Sequence, residues 1–137
     1  MLDNSKLIQA AVDARGRAYV PYSRFAVGAA VLTRSGKIFR GCNVENISLR
    51  LTLCAEEVAV GGALVEGERD LLAIAVVAES TEPIMPCGAC RQLLAEFNPD
   101  LEVVSTTISG EVCTYSLSEL LPRAKQGILE VKDGSER

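Results

Sequence analysis

The sequence contains no histidine and no tryptophan. The first absence removes whole reaction classes. A Ser-His-Asp triad, a Cys-His pair, an HExxH zinc site and phosphohistidine chemistry all need an imidazole that this subunit lacks. Any metal must be held by Cys, Asp, Glu or backbone, and a proton shuttle near neutral pH must be a perturbed carboxylate or thiol. Aromatics make up only 4% of the chain, three Tyr and three Phe, which argues against the stacking platforms that bind single-stranded nucleic acid. Cationic residues are in the minority: 14 Lys and Arg against 18 Asp and Glu leave a net charge of −4, with no continuous basic stripe. No nucleic acid and no membrane surface is expected as main partner, because phosphate contacts dominate such affinity. Long apolar runs are missing too. The longest, Leu71 to Ala78, has eight residues, whereas a membrane-spanning helix needs about 20. The opening stretch MLDNSKLIQAAVDARGRAYV is amphipathic and charged, unlike a hydrophobic export segment, so a reducing cytoplasmic setting is the expectation.

What is present suits one folded domain over residues 1–137, with a polar tail from about 125 to 137. Hydrophobic residues reach 48% and charged residues 23%, a composition that builds a core and excludes wholesale disorder. Helical spacing of Leu7, Ile8, Ala11, Ala14 and Ala18 predicts a helix over 4–18, with Asp3 or Asn4 as cap. Phe25 to Thr33 and Lys37 to Gly41 read as a hairpin around Arg34-Ser35-Gly36. Gly28 within it marks either a close backbone approach or plain tolerance. Cys54 to Leu64 and Cys87 to Phe97 read as helices. The apolar run 71–78 suits a strand covered on both faces, 101–108 and 111–115 are two further strands, and 118–121 is a short helical turn capped by Ser118. This order predicts an α/β, three-layer α-β-α domain with one mixed five-stranded sheet.

Five cysteines punctuate that plan: Cys42, Cys54, Cys87, Cys90 and Cys113. Cys54-Ala55-Glu56 and Pro86-Cys87-Gly88-Ala89-Cys90 both fall at predicted helix N-termini, where free N–H groups and the helix dipole lower thiol pKa values and favour metal ligation. Cys87 and Cys90, three residues apart, share one face of a first turn. If the two helix starts lie side by side, three thiolates with an open fourth position describe a catalytic zinc site. Other readings remain: a closed four-cysteine site recruiting Cys42 or Cys113, a redox C-x-x-C pair that leaves Cys54-Ala55-Glu56 idle, or cysteines buried for packing alone. Glu56 is two residues beyond Cys54, placed to turn over the metal without ligating it, whereas the Glu57 side chain leaves the helix about 100° away. Its bland role is to stabilise the helix dipole. Its catalytic role is to take a proton from water activated by the metal and pass it to a ring nitrogen and a leaving amine, the hydrolytic deaminase pattern.

With those pieces the chain resembles the small homotetrameric, zinc-dependent cytidine deaminases. The resemblance runs from about Tyr19 to Leu121. It rests on Pro21-Tyr22-Ser23-Arg24-Phe25-Ala26-Val27-Gly28-Ala29-Ala30, Gly41-Cys42-Asn43-Val44-Glu45-Asn46, Cys54-Ala55-Glu56 and Pro86-Cys87-Gly88-Ala89-Cys90-Arg91-Gln92, with Leu120-Leu121-Pro122 closing the match. It implies a cytidine-deaminase-like fold and one zinc ion per subunit on Cys54, Cys87 and Cys90, with Glu56 as proton shuttle. It implies Asn43 and Glu45 on the ribose 3′-hydroxyl, Phe25 packed against the nucleoside and the Ala55 N–H on the base carbonyl. Without the resemblance, Asn43 and Glu45 would read as a polar turn after a strand and Phe25 as a core aromatic. The reaction implied is hydrolysis of cytidine or 2′-deoxycytidine to the uracil nucleoside and ammonia, in pyrimidine salvage, by a cytoplasmic homotetramer whose pockets lie near subunit interfaces.

The departures from that family all lie around the pocket. Glu57 stands where many members carry an arginine that offsets a three-thiolate zinc centre, formally −1, so Arg91 or Arg50 is the expected compensation. Leu49 and Lys125 stand where many members carry a tyrosine and a phenylalanine, each stacking pair being worth about 0.5–1.5 kcal/mol beyond burial. Two alternatives follow: a deaminase of a modified or different aminated heterocycle, including blasticidin-like antibiotics, and a zinc-stabilised oligomeric protein without catalysis. Blasticidin S deaminases lack the Asn-x-Glu pair seen here at 43 and 45, which ranks that substrate below nucleosides.

Overall fold

A computed structural model describes residues 3–126. Ten elements follow in order: helix α1 (Ser5–Arg15), strands β1 (Val27–Thr33) and β2 (Ile38–Cys42), a 3-10 turn (Leu49–Leu51), α2 (Ala55–Val65), β3 (Leu71–Ala78), α3 (Gly88–Phe97), β4 (Glu102–Thr107), β5 (Val112–Ser116) and α4 (Leu117–Leu120). The five strands form one mixed sheet in the order β2-β1-β3-β4-β5. β1 pairs antiparallel with β2 and β3, β3 runs parallel to β4, and β4 pairs antiparallel with β5.

Helices cover both faces of this sheet. On one face Leu7 and Ala11 of α1 pack against Ala30, Ala73, Ala75, Val77 and Val104. On the other, Ala55, Ala59 and Ala63 of α2 and Leu94 and Ala95 of α3 close over Ala29, Val31, Ile74, Val76 and Val103. Alternate residues of β1 and β3 thus feed opposite layers, as strand geometry requires, and β3 is apolar throughout because both its faces are covered. The expected three-layer α/β architecture is the observed one.

Two glycines set the layer spacing. A Cβ on Gly28 would lie 2.0 Å from the Ala11 carbonyl oxygen, and one on Gly41 2.2 Å from that of Ala55. Gly28 therefore marks a close backbone approach. Gly61 and Gly62 face open space within the subunit, so neither serves close packing there.

Element boundaries differ where side chains intercept the backbone. The first helix ends at Arg15, short of residue 18, because Tyr19 pairs with Val44: its N–H donates to the Asn43 carbonyl at 3.0 Å. Asn4 occupies the cap position, but the Asp3 carboxylate makes the capping contact, accepting the Ser5 N–H at 3.0 Å. β1 begins at Val27 and not at Phe25, because the carbonyls of Phe25 and Ala26 accept from the Asn43 and Arg15 side chains. The last helix is capped by Ser116, not Ser118, with the Ser116 N–H held by Glu119 at 3.1 Å. The 3-10 turn lies in a stretch without helical periodicity, so no sequence pattern predicts it. The residues of the expected tail from 127 to 137 lie outside the described ones.

Sheet register decides where the site forms. Gly28, near the start of β1, pairs with Cys42 at the end of β2 and Val77 near the end of β3. The exits of β2 and β3 are thus neighbours, and α2 and α3 begin beyond them. Clefts beyond the carboxyl ends of strands are where open α/β sheets take ligands.

Candidate active site and metal centre

Cys54 and Cys87 are the N-cap residues of α2 and α3, both in extended backbone (ψ 152° and 166°), while Cys90 lies one turn into α3. The sulfurs of Cys54, Cys87 and Cys90 all lie within 4.8 Å of one another. A tetrahedral ion with Zn–S bonds near 2.3 Å asks for sulfur separations of about 3.8 Å, so small rotations about the side-chain bonds bring all three onto one zinc. All three thiols are free. The cluster is positioned to coordinate a single zinc ion. Cys42 and Cys113 sit on β2 and β5, the two opposite edges of the sheet, which overturns a four-cysteine site. Convergence of Cys54 with the C-x-x-C pair likewise leaves no reason to read that pair as an isolated redox motif.

Desolvation dominates the electrostatics. Burial pushes the Cys54 thiol up to about 12, opposed by its hydrogen bond with Cys90 and reinforced by the charges of Glu56, Cys87 and Glu57. Cys90 is raised further, first by burial and then by Glu56 and Cys54. A helix N-terminus by itself lowers a thiol pKa; for these two thiols burial outweighs the helix dipole, which corrects that expectation. A bound divalent cation reverses that balance and deprotonates the thiols. Glu56 is only 5% exposed. Burial raises its carboxyl too, while hydrogen bonds from its backbone N–H and the Cys90 thiol lower it and Glu57 raises it. A buried carboxyl held towards neutrality, one turn from metal ligands, has the tuning of a general acid-base group.

A cavity of about 190 Å³ opens onto this cluster, lined by Val27, Asn43, Thr52, Cys54, Ala55, Glu56, Ile84, Met85 and Cys87. Asn43 borders it with its side chain already engaged: its Oδ1 accepts the Val27 N–H and its Nδ2 donates to the Phe25 carbonyl, each at 2.9 Å. Glu45 is not among the lining residues. Its carboxylate accepts the Tyr22 and Ser23 N–H groups at 3.0 and 3.1 Å and the Ser23 hydroxyl, and these bonds hold its pKa below the usual range. Phe25 is 40% exposed on the same loop, so a buried core aromatic is not its role. Ala55 opens α2, and its N–H belongs to the first turn, where no intrahelical acceptor exists.

The remaining sequence candidates surround this centre. Arg91, on α3, donates from Nε to the Pro86 carbonyl at 2.8 Å and from Nη1 to the Leu120 carbonyl at 2.9 Å, which ties the loop before Cys87 to α4. Arg50 and Leu49 stand exposed on the 3-10 turn, and Lys125 is half-buried. Thr52, Ile84 and Met85 sit in segments without helical periodicity, where no pattern singles them out; for Ile84 and Met85 the neighbouring Pro86 is the available signal.

The chain matches the family model for the cytidine and deoxycytidylate deaminase zinc-binding region over residues 1–106. It is 51% identical over 124 residues to a cytidine deaminase of Halalkalibacterium halodurans, covering 90% of this chain and 94% of that one. The crystal structure of a cytidine deaminase from Burkholderia pseudomallei superposes with a TM-score of 0.86 at 51% identity, covering 89% of this chain and 98% of that one. That of the Mycobacterium tuberculosis cytidine deaminase gives 0.78 at 43% identity, covering 90% and 97%. A three-thiol cluster at paired helix starts, the buried glutamate beside it and relatives alike over nearly their full lengths agree: the chain belongs to the zinc-dependent cytidine deaminase family.

Proposed function

We propose that this protein hydrolyses cytidine or 2′-deoxycytidine, with water, to the corresponding uracil nucleoside and ammonia. The observation that carries the reading is the meeting of Cys54, Cys87 and Cys90 with buried Glu56 at one cavity. A zinc ion held by the three sulfurs supplies a Lewis acid that makes water nucleophilic near neutral pH. The chain's own groups do the rest. Glu56 accepts a proton from water, delivers it to the ring nitrogen beside the amino-bearing carbon, and carries a second proton to the departing amine. The Ala55 N–H donates to the base carbonyl. Asn43 and Glu45 take the ribose 3′-hydroxyl, where paired donor and acceptor groups discriminate more strongly than apolar contact. Phe25 covers the nucleoside. Arg91 and Arg50 offset the negative charge of the centre.

The same proposal takes residues 1–137 as one deaminase domain, working in the cytoplasm as a homotetramer. Ile47, Leu49 and Leu51 are 81%, 74% and 60% exposed in the segment that leads to the cavity-lining Thr52, apolar surface that a neighbouring subunit would cover. No helix among the described residues is long and apolar enough to cross a membrane.

The test is ammonia release, with mass spectrometry of the product, from zinc-loaded protein given cytidine, 2′-deoxycytidine, 5-methylcytidine, adenosine, free cytosine and blasticidin S. Conversion of cytidine or deoxycytidine is expected, and Glu56→Gln lowers it about 10²–10⁴-fold with zinc content unchanged. Turnover confined to another compound would transfer the site to that substrate. Silence throughout would return it to a structural zinc centre.

A further inference from the structure

We infer that Ser23 is a positioning residue for sugar recognition: its hydroxyl holds the Glu45 carboxylate so that one oxygen is left to receive a sugar hydroxyl. The inference rests on the nucleoside reading above. A carboxylate offers about four acceptor positions, two on each oxygen. On Glu45, Oε1 accepts the N–H groups of Tyr22 and Ser23 at 3.0 and 3.1 Å and is filled. Oε2 accepts only the Ser23 hydroxyl and keeps one position open. Asn43, two residues earlier in an extended segment and so on the same side of the chain, keeps one Nδ2 proton after donating to the Phe25 carbonyl. A hydroxyl group is both donor and acceptor. It can donate to Oε2 of Glu45 and accept from Nδ2 of Asn43, which completes both side chains.

Ser23 is the group that makes this directional. Its oxygen accepts the Phe25 N–H at 3.0 Å, so its one proton is committed to Oε2. The bond from the Phe25 N–H spans Arg24, whose φ of +57° is left-handed, so it also holds the strained turn that presents Phe25. Without the hydroxyl, Oε2 has two open positions, the carboxylate is held through Oε1 alone, and the turn loses its brace. Glu45 then holds the same charge in a less defined place, and sugar discrimination falls before zinc chemistry does.

The experiment compares kcat/KM for cytidine and 3′-deoxycytidine. The wild-type protein is expected to prefer cytidine at least tenfold. In Ser23→Ala the preference falls by about fivefold or more, the scale of a lost hydrogen bond to a charged group. Ser23→Thr, which keeps the hydroxyl, holds the preference within about twofold. Ser23→Cys, of similar volume with a weak donor, gives the same fall as alanine and serves if the alanine variant folds poorly. Adding Ser23→Ala to Glu45→Gln changes the preference no further, because the serine acts through Glu45. An equal loss on both substrates in Ser23→Ala, or an undiminished serine effect in the Glu45→Gln background, would overturn the inference while leaving the deaminase reading intact. Absence of cytidine turnover in the wild-type protein would remove that reading and this one with it.

Discussion

Glu57 adds a carboxylate beside three thiols, an electrostatic burden, yet its side chain has a local task. Its Oε1 accepts the Cys54 N–H at 2.8 Å, closing the start of the helix that presents the first zinc ligand. The charge still acts on its neighbours, raising both Cys54 and Glu56. Glu57→Ala is expected to cost about 1 kcal/mol of unfolding free energy and Glu57→Gln less than about half of that, as read by urea denaturation of the zinc-loaded protein. Glu45 sets a pH dependence of known sign. Its folded pKa lies below the ordinary 4.5, chiefly through the Ser23 hydroxyl. The unfolded chain therefore takes up a proton first as pH falls. The stabilisation is complete above the unfolded value and is lost as pH drops through the folded one. Urea midpoints between about pH 6 and about pH 3 should fall less steeply in Glu45→Gln than in the wild-type protein; equal slopes would remove Glu45 as a contributor.

Among elements, α2 carries the largest consequence for the site. Its first turn supplies Cys54, Ala55 and Glu56, and its body rests on β2 through the bare Cα of Gly41. Gly41→Ala would drive a methyl group to 2.2 Å from the Ala55 carbonyl oxygen and 2.5 Å from the Ala59 nitrogen. The helix must move off the sheet, so loss of bound zinc and of activity should accompany a drop in melting temperature; retention of full zinc content would contradict this placement. Gly61, on the same helix, faces open space within the subunit, and Gly61→Ala should raise stability by about 0.5–1 kcal/mol. Element types were legible because periodicity and punctuation agree along most of the chain: the apolar run 71–78 became β3 residue for residue. Ends were less legible. Where β1 begins was set by Asn43 and Arg15, side chains distant in sequence that took the carbonyls of Phe25 and Ala26.

For the whole molecule, zinc binding and the proposed assembly set the testable behaviour. Burial raises the Cys54 and Cys90 thiols in a centre that a cation relieves, so zinc binding and folding are linked. Free zinc at about 100 times its Kd should add about 2.7 kcal/mol to unfolding, and a chelator should lower the melting temperature and activity together. Ile47, Leu49 and Leu51 stand exposed, the kind of apolar surface that the proposed homotetramer would bury. Sedimentation should give about four times the 14.6 kDa chain mass, and Leu49→Glu should shift it towards smaller species.

The sequence by itself determined the chemistry on offer. Without histidine, metal ligands had to come from Cys, Asp, Glu or backbone and a proton carrier from a carboxylate or thiol; local spacing set Cys87 and Cys90 on one turn and Glu56 just past Cys54, because these are relations within a single helix. Tertiary structure decided everything that depends on two separate segments meeting. Register across β1 brought the exits of β2 and β3 together, and with them the caps of α2 and α3. It sent Cys42 and Cys113 to opposite edges of the sheet. It also raised the Cys54 and Cys90 thiols where helix N-termini alone would lower them, because desolvation is a property of the packed site and no local pattern carries it.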